Sequence, residues 1–292
     1  MRIAGVDGGG GSLRLRVEQG ELVVHRAEGP GGNPNLMTAD TLEQRLMVLF
    51  EGSPAPDVVV ACMSGSGVPA ARAKVEAWLH TTFPHATVRV LPDYAAAYAA
   101  IDPPPAAVVI AGTGSVVASP DASGAWVASG GLGWPFGDEG SATLLGQRLI
   151  RRLLNEDPQL EEALIRAVFD LHEVDSRAGL LNALRSGDNP GPLFAHSASL
   201  LTRSAEEGDA WAQHEVDESM AVLALTISHH LHRHARGAAS PQVALIGGVW
   251  ASSACRVALR RHVPNHVELL DRHRTQPIDG AVRLAKELSH EL

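Results

Sequence analysis

Gly5-Val6-Asp7-Gly8-Gly9-Gly10-Gly11-Ser12 stands at the start of the chain and decides how the rest is read. Four glycines separate two short segments of strand character, Arg2 to Val6 and Leu13 to Glu18, so the stretch reads as a tight hairpin turn. A third segment, Leu22 to Ala27, follows the break Gln19-Gly20-Glu21. An opening antiparallel meander is not how a Rossmann domain begins, because there the first strand leads into a helix. Successive glycines also let backbone N–H groups converge on an anion, and a carboxylate at the strand end, Asp7, can hold hydrated Mg²⁺. A flexible hairpin turn accounts for this stretch equally well when it is taken alone.

Outward from that turn, a polar loop (Gly29 to Asn35) precedes an amphipathic helix from about Thr38 to Phe50. An apolar strand, Val58 to Cys62, comes next, then a helix opening near Pro69, a favourable first-turn position. The strand Thr87 to Leu91 leads into the alanine-rich helix Tyr94 to Ala100. The N-terminal half is therefore a three-strand hairpin unit followed by β-α-β-α, a mixed sheet flanked by helices. After Asp102-Pro103-Pro104-Pro105, a buried-type strand, Ala106 to Ala111, ends in Gly112-Thr113-Gly114-Ser115. A hairpin across Val116–Val127 turns at Pro120 to Gly124, and a second glycine-rich loop runs from Gly130 to Gly140. The pattern is helical from about Ser141 to Gly237. A strand, Val243 to Ile246, then precedes Gly247-Gly248, and a final helix starts near Asp279. A strand with a glycine turn and an acid recurs at Asp7, at Gly112 and near Gly247, a weak internal duplication into two mixed sheets.

The length, 292 residues, suggests roughly two domains of ~150 residues. Lysine and arginine number 24 against 33 acids, a net charge of −9, which argues against non-specific binding to nucleic acid or anionic membrane. The two cysteines, Cys62 and Cys255, make no disulfide framework, four-cysteine zinc site or self-contained cluster, and read as buried small apolar residues. Their scarcity, the absence of a signal-peptide core and the lack of an apolar run of ~18–20 residues lead to the expectation of a cytoplasmic protein. Lys74 and Lys286 are the only lysines. Neither lies in a GxxxxGK[ST] context, and no VAIK and HRD pair is present, so neither a P-loop nor a protein kinase is indicated. A nucleotide would have to be held by glycine-rich backbone and acids.

Gly112-Thr113-Gly114-Ser115 repeats the logic of the first turn: a strand end, two glycines, two hydroxyls. Gly130-Gly131-Leu132-Gly133-Trp134-Pro135-Phe136-Gly137-Asp138-Glu139-Gly140-Ser141 is more specific, because five glycines interleaved with bulky apolar residues and ending in two acids make an improbable linker. The bland reading of Asp138 is a cap on the following helix. Asp93, after Pro92 and before a helix, is either an N-cap or a general base pointing into a cleft. Gly65-Ser66-Gly67-Val68-Pro69-Ala70 matches GxGxxA loosely, but the unit before it is an antiparallel hairpin, so no dinucleotide site is read there. His229, His230, His232 and His234 read as a solvated helix face with no pair set for one ion.

Taken in order, these segments resemble the sugar-kinase branch of the actin/hexokinase/Hsp70-like ATPases. They are most similar to the N-acetylglucosamine kinase type of the BadF/BadG/BcrA/BcrD ATPase family. The resemblance rests on Gly5-Val6-Asp7-Gly8-Gly9-Gly10, Gly32-Asn33, Asp93 with its alanine helix, Gly112-Thr113-Gly114-Ser115, Gly137-Asp138-Glu139-Gly140-Ser141, Gly247-Gly248-Val249-Trp250 and Gly280-Ala281. It implies an α/β fold of two duplicated ribonuclease H-like (actin-like ATPase) domains, each a mixed five-stranded sheet with helices, around a central cleft. The first domain would comprise residues 1–111 and 279–292, and the second, with a helical insertion, residues 112–278.

The resemblance further implies an ATP-dependent kinase that phosphorylates an amino sugar, N-acetylglucosamine or glucosamine, at its 6-hydroxyl. ATP would lie between Gly8, Gly9, Gly10, Gly11 and Ser12 on one side and Gly112, Thr113 and Gly114 on the other. Its adenosine would lie near Gly247 and Gly248. Asp7 would hold Mg²⁺ through water, and Asp93 would be the catalytic base. Asn33, Asp93, Ser115 and Asp138 would bind sugar hydroxyls, with Gly131 in the pocket wall. Relatives commonly dimerise, so a homodimer is expected. Where the family usually has threonine followed by lysine or arginine, this chain has Gly11-Ser12, leaving Ser12 or Arg14 to compensate or phosphate binding weaker. The family's Gly-Gly-Trp-Gly appears as Gly130-Gly131-Leu132-Gly133, and Trp134 reads as a partial stand-in. Two other classes compete. An activator ATPase of the same family would need cysteines for a bridging cluster, and none are suitably paired. A non-enzymatic nucleotide or sugar sensor is disfavoured by the presence of both Asp93 and Asp138.

Overall fold

The computed structural model describes residues 1–186, 189–235 and 239–292. The chain divides into two compact units, Met1–Pro105 with Thr275–Leu292, and Ala106–Arg274.

In the first unit, β1 (Arg2–Gly8), β2 (Ser12–Gln19) and β3 (Leu22–Pro30) form the expected meander, with the two-residue connection Gly20-Glu21 closing β2 on β3. Gly20 has φ +61, a conformation that costs glycine little and most residues more. The helix α1 (Ala39–Leu49) is capped by Thr38, whose side chain accepts from Thr41 N–H. It leads into β4 (Val58–Met63), α2 (Pro69–Thr82), β5 (Thr87–Pro92) and α3 (Asp93–Ala99). The strand order is β3-β2-β1-β4-β5, with β1-β4 and β4-β5 parallel. Every residue of β4 is buried, as expected of a central parallel strand covered on both faces. One face packs Ala4, Val6, Leu13, Leu15, Val59 and Ala61 against Leu42, Leu46, Val75 and Leu79. On the other lies the last helix of the chain (Pro277–His290, α10 below), admitted by two glycines. A Cβ on Gly5 would lie 2.6 Å from Val282 N, and one on Gly280 would lie 1.9 Å from Ala96 O. The alanines of α3 and Gly280 of α10 thus let two helices approach almost backbone to backbone, and α3 carries Asp93 at its first position.

The second unit repeats the plan. Its strands are β6 (Ala107–Ala111), β7 (Ser115–Pro120), β8 (Trp126–Gly130), β9 (Gln242–Ile246) and β10 (Glu268–Asp271), in the order β10-β9-β6-β7-β8. Read from the other edge this is β8-β7-β6-β9-β10, the same two antiparallel and two parallel pairings as in the first sheet. The internal duplication seen weakly in the sequence is therefore a duplication of topology. Between β8 and β9 the chain forms α4 (Ala142–Leu154), α5 (Glu162–Leu171), α6 (Arg177–Ser186), α7 (Gly191–Glu206) and α8 (Ala210–His234). A short 3₁₀ turn (Gly248–Ala251) and α9 (Ser253–His262) precede β10.

Three expectations shift. The first boundary falls at Pro105/Ala106 rather than after 111, because β6 hydrogen-bonds to β7 and β9 and belongs wholly to the second sheet. The second falls at Arg274/Thr275, before α10 begins at Pro277. The edge strand β10 has no counterpart among the strands expected from the sequence: four residues, exposed at both ends, give too short a pattern. The expected end of the helical run at Gly237 lies outside the described residues.

Candidate active site

In the first unit the candidate residues gather at the C-terminal ends of β1, β4 and β5, the edge where open α/β sheets place their ligands. Asp7 is buried, at 8% exposure. Arg14 Nη1 on β2 stands 3.8 Å from its Oδ2, while Arg14 Nε holds Glu28 at 3.2 Å. Burial, with a smaller push from Asp93, outweighs Arg14 and raises the Asp7 pKa to about 6. The glycine turn that follows is braced from one side. Gly9 N–H donates to Ser12 O at 3.0 Å, Gly31 N–H to Gly11 O and Gly32 N–H to Gly9 O, each at 3.2 Å. A Cβ on Gly31 would meet Gly10 O at 2.2 Å, yet nothing lies within 4 Å of the positions a Cβ would take on Gly10 and Gly11. That open side is where an anion can approach backbone N–H groups.

Asp93 is not the N-cap of α3; Pro92 takes that place, and Asp93 begins the helix. Its Oδ1 accepts from Tyr94 N–H at 3.0 Å. Desolvation drives its pKa up to about 6, against hydrogen bonds from the Tyr94 and Asp93 N–H groups and the Ser64 hydroxyl. Asn33 closes the same edge: its Oδ1 accepts from Asn35 N–H at 2.9 Å, and a Cβ on Gly65 would sit 2.0 Å from that oxygen. Gly65 has φ +81, so glycine is required there twice over. The Gly65-Ser66-Gly67 loop, a poor dinucleotide fingerprint in the sequence, thus lies against Asn33. Cys62, paired between Asp7 and Leu91, is fully buried with its thiol pKa raised by burial.

In the second unit the turn Gly112-Thr113-Gly114 follows β6. Gly112 N–H donates to Gly114 O at 2.9 Å, and Thr143 at the start of α4 donates its hydroxyl to Thr113 O at 2.7 Å. Gly247 (φ +109) passes so close to the end of β6 that a Cβ would lie 2.4 Å from Ala111 O. The Gly112 and Gly247-Gly248 turns are therefore neighbours, and Trp250, which donates its indole N–H to Val109 O at 3.2 Å, anchors the second of them.

The loop 130–140 folds back on this turn. Asp138 does not cap α4; Ser141 does, accepting from Leu144 N–H at 3.2 Å. Instead Asp138, at φ +63, accepts from Gly133 N–H at 3.2 Å and from Ser115 N–H. Its Oδ2 would lie 2.8 Å from a Cβ on Gly114. Ser115 donates its hydroxyl to Glu139 O at 2.6 Å, and Gly131 (φ +68) rests on Val116. Asp138 and Ser115 thus lock the loop to the turn. Trp134, read as a partial stand-in for the pocket tryptophan, packs edge-on against Phe194 at 5.6 Å. Leu132 and Phe136 are left 69% and 81% exposed.

Of the four histidines read as a solvated face, His229 and His232 are exposed as expected and His230 is not. His230 and His234 are one turn apart on α8, their ring centroids 4.9 Å from each other. His230 is completely buried, with Nε2 and Nδ1 each 3.0 Å from the hydroxyls of Ser119 and Ser129. Burial lowers its pKa to about 4, so at neutral pH it is an uncharged tie between the β7-β8 hairpin and α8. Among the described residues no group of three or more His, Cys, Asp or Glu is placed to hold a metal ion, and no helix is long and apolar enough to cross a membrane.

Two sheets of one strand order, with glycine turns at their carboxyl edges, define the actin-like ATPase class of fold. The sequence profile of the BadF/BadG/BcrA/BcrD ATPase family matches residues 4–282, and the chain belongs to that family. A glucosamine kinase of Vibrio cholerae is 32% identical over 162 residues, 51% of this chain and 53% of that protein. The match thus spans about half the length of that curated relative. Among solved structures, a candidate N-acetylglucosamine kinase from Porphyromonas gingivalis superposes with a TM-score of 0.75 at 18% identity, covering 99% of both chains. Another from Chromobacterium violaceum gives 0.71 at 24% identity, covering 97% of this chain and 98% of that one. A ROK family glucokinase from Streptomyces griseus, in complex with glucose and AMPPNP, gives 0.56 at 15% identity over 98% of this chain and all of its own. At these identities the structures share the fold.

Proposed function

We propose that the protein is an ATP-dependent kinase of an amino sugar, transferring the γ-phosphoryl group to the 6-hydroxyl of glucosamine or N-acetylglucosamine. The observation that carries this reading is the pair Asp7 and Asp93, two desolvated carboxylates on strand ends of one sheet with pKa values raised to about 6. Asp93 is a base that is ionised at neutral pH yet still takes a proton readily, the property general-base catalysis asks for. It accepts the proton of the sugar hydroxyl as that oxygen forms its bond to the γ-phosphorus; the bond from the γ-phosphorus to the bridging oxygen breaks, ADP leaves, and the proton later returns to solvent. Asn33 binds a sugar hydroxyl at the same sheet edge as Asp93; in the second unit Ser115, Gly131 and Asp138 offer a hydroxyl, backbone and a carboxylate to a sugar.

ATP is recognised by backbone, for which the turns at Gly8 to Ser12, at Gly112, Thr113 and Gly114, and at Gly247 and Gly248 each offer N–H groups. Asp7 fits the role of a magnesium anchor. It is a buried carboxylate whose ion pair with Arg14 is a loose 3.8 Å, and Mg²⁺ needs only one or two carboxylates when water and phosphate oxygens complete its shell. When bound, the ion neutralises charge on the transferring phosphate. The chain's own acids and backbone do the rest, positioning the reactants more than reacting with them. The 32% identity to a glucosamine kinase supports the amino-sugar reading. A homodimer in the cytoplasm is part of the proposal. ADP release with Mg-ATP against glucosamine, N-acetylglucosamine, N-acetylmannosamine, N-acetylmuramate and glucose tests it. One amino sugar turned over well above the rest is the expected result; a flat panel with intact ATP binding overturns it.

A further inference from the structure

β4 and β5 pair in register as far as Met63 and Pro92, so the next residues of the two strands, Ser64 and Asp93, are neighbours at the carboxyl edge. On the other side β1 and β4 pair as far as Gly8 and Met63, and Ser64 N–H donates to Gly8 O at 2.7 Å. The residue after it, Gly65, lies against Asn33 Oδ1. One short loop therefore touches the glycine turn, the Asn33 amide and the Asp93 carboxylate. Of its two hydroxyls, that of Ser64 is on the residue next to Asp93 in register, while the buried Ser66 Oγ has no partner. One Asp93 oxygen is held by Tyr94 N–H, so a second donor placed beside the carboxylate can set its rotation.

We propose that Ser64 is a positioning residue for Asp93: its hydroxyl fixes the carboxylate so that an oxygen faces the acceptor hydroxyl, while its backbone ties that carboxylate to the glycine turn of β1. The inference rests on Asp93 acting as the base of the proposed kinase. The Ser64 hydrogen bond opposes the effect of burial on Asp93. Other groups facing Asp93 are Asp7 on β1, Cys62 on β4 and Tyr94 on its own helix. From α10, Arg283 reaches Ala99 O, at the far end of α3. The side-chain hydrogen bond that lowers the Asp93 pKa comes from Ser64.

The test compares wild type with Ser64→Ala and Ser64→Thr. Steady-state ADP release with the preferred sugar is expected to show kcat about 10-fold lower in Ser64→Ala, with KM for the sugar within about two-fold. The acidic limb of its pH–rate profile is expected to move to higher pH by about half a unit, and Ser64→Thr, which keeps the hydroxyl, restores both. A loss of kcat with an unmoved acidic limb, or the same loss in Ser64→Thr, overturns the positioning role. The carboxyl ¹³C NMR titration of Asp93 without nucleotide separates this idea from the kinase reading. If wild type turns over no sugar, the kinase reading fails, and an unchanged Asp93 titration in Ser64→Ala then overturns the hydrogen bond as well.

Discussion

Replacing Asp93 by asparagine should make the protein more stable while stopping it working. The Asp93 pKa is raised from 3.8 to about 6 in the folded chain, so the native state penalises the ionised form relative to the unfolded one. At ~1.4 kcal/mol per unit, the penalty at pH 8 is about 3 kcal/mol. The sign follows from proton uptake: between the two values the folded state binds more protons, so this group's contribution to stability is complete below pH ~4 and is lost as pH rises through ~6. The asparagine side chain retains an acceptor for Tyr94 N–H and carries no charge. Urea unfolding without added metal should therefore find Asp93→Asn more stable than wild type by about 2–3 kcal/mol at pH 8, with the gap closing toward pH 4. Turnover should fall by at least ~100-fold, the usual worth of a general base. A pH-independent difference, or a variant less stable than wild type at pH 8, would refute the burial argument; retention of more than ~5% of turnover would remove Asp93 from the role of base.

Asp7→Asn should cut ADP release by about 100-fold and abolish its saturable dependence on Mg²⁺; a magnesium titration superposable on wild type would contradict the anchor role. Gly280→Val places a side chain where a Cβ already lies 1.9 Å from Ala96 O. The two helices must part, at a cost of about 3 kcal/mol or more in urea unfolding, and a change under ~0.5 kcal/mol would mean that α10 and α3 are not so close. Leu132→Trp restores an indole at a position now 69% exposed. It should lower KM for N-acetylglucosamine by roughly 5-fold, about 1 kcal/mol of apolar contact, and leave glucosamine unaffected; equal effects on both sugars would show that the loop does not face the N-acetyl group.

The elements and the carboxyl-edge turns are written in local sequence. Alternating apolar residues over Leu13, Leu15 and Val17, the all-apolar run at Val58 to Cys62 and the two-residue turn at Gly20-Glu21 are local signals, and the strands form where those signals lie. Asp7, Asp93, Gly112 and Gly247 are legible because a strand end followed by glycine or an acid is visible without knowing what packs nearby. What a side chain does once placed is not legible. The bland reading of Asp138 as a cap fails, because its carboxylate, on a residue at φ +63, turns back to Gly133 and Ser115 instead of forward into α4. Trp134 packs on Phe194, a partner 60 residues along the chain that no local pattern names. His230 reads as solvated and is buried between two serines on strands more than a hundred residues away. Ser64 carries no signal, since its meaning comes from the register that sets it between Gly8 and Asp93. β6 goes to the second sheet because hydrogen-bond pairing with β7 and β9 decides membership, not proximity in sequence. Local patterns fix backbone conformation through interactions within a few residues; burial, pairing and charge depend on partners that only the folded chain brings together.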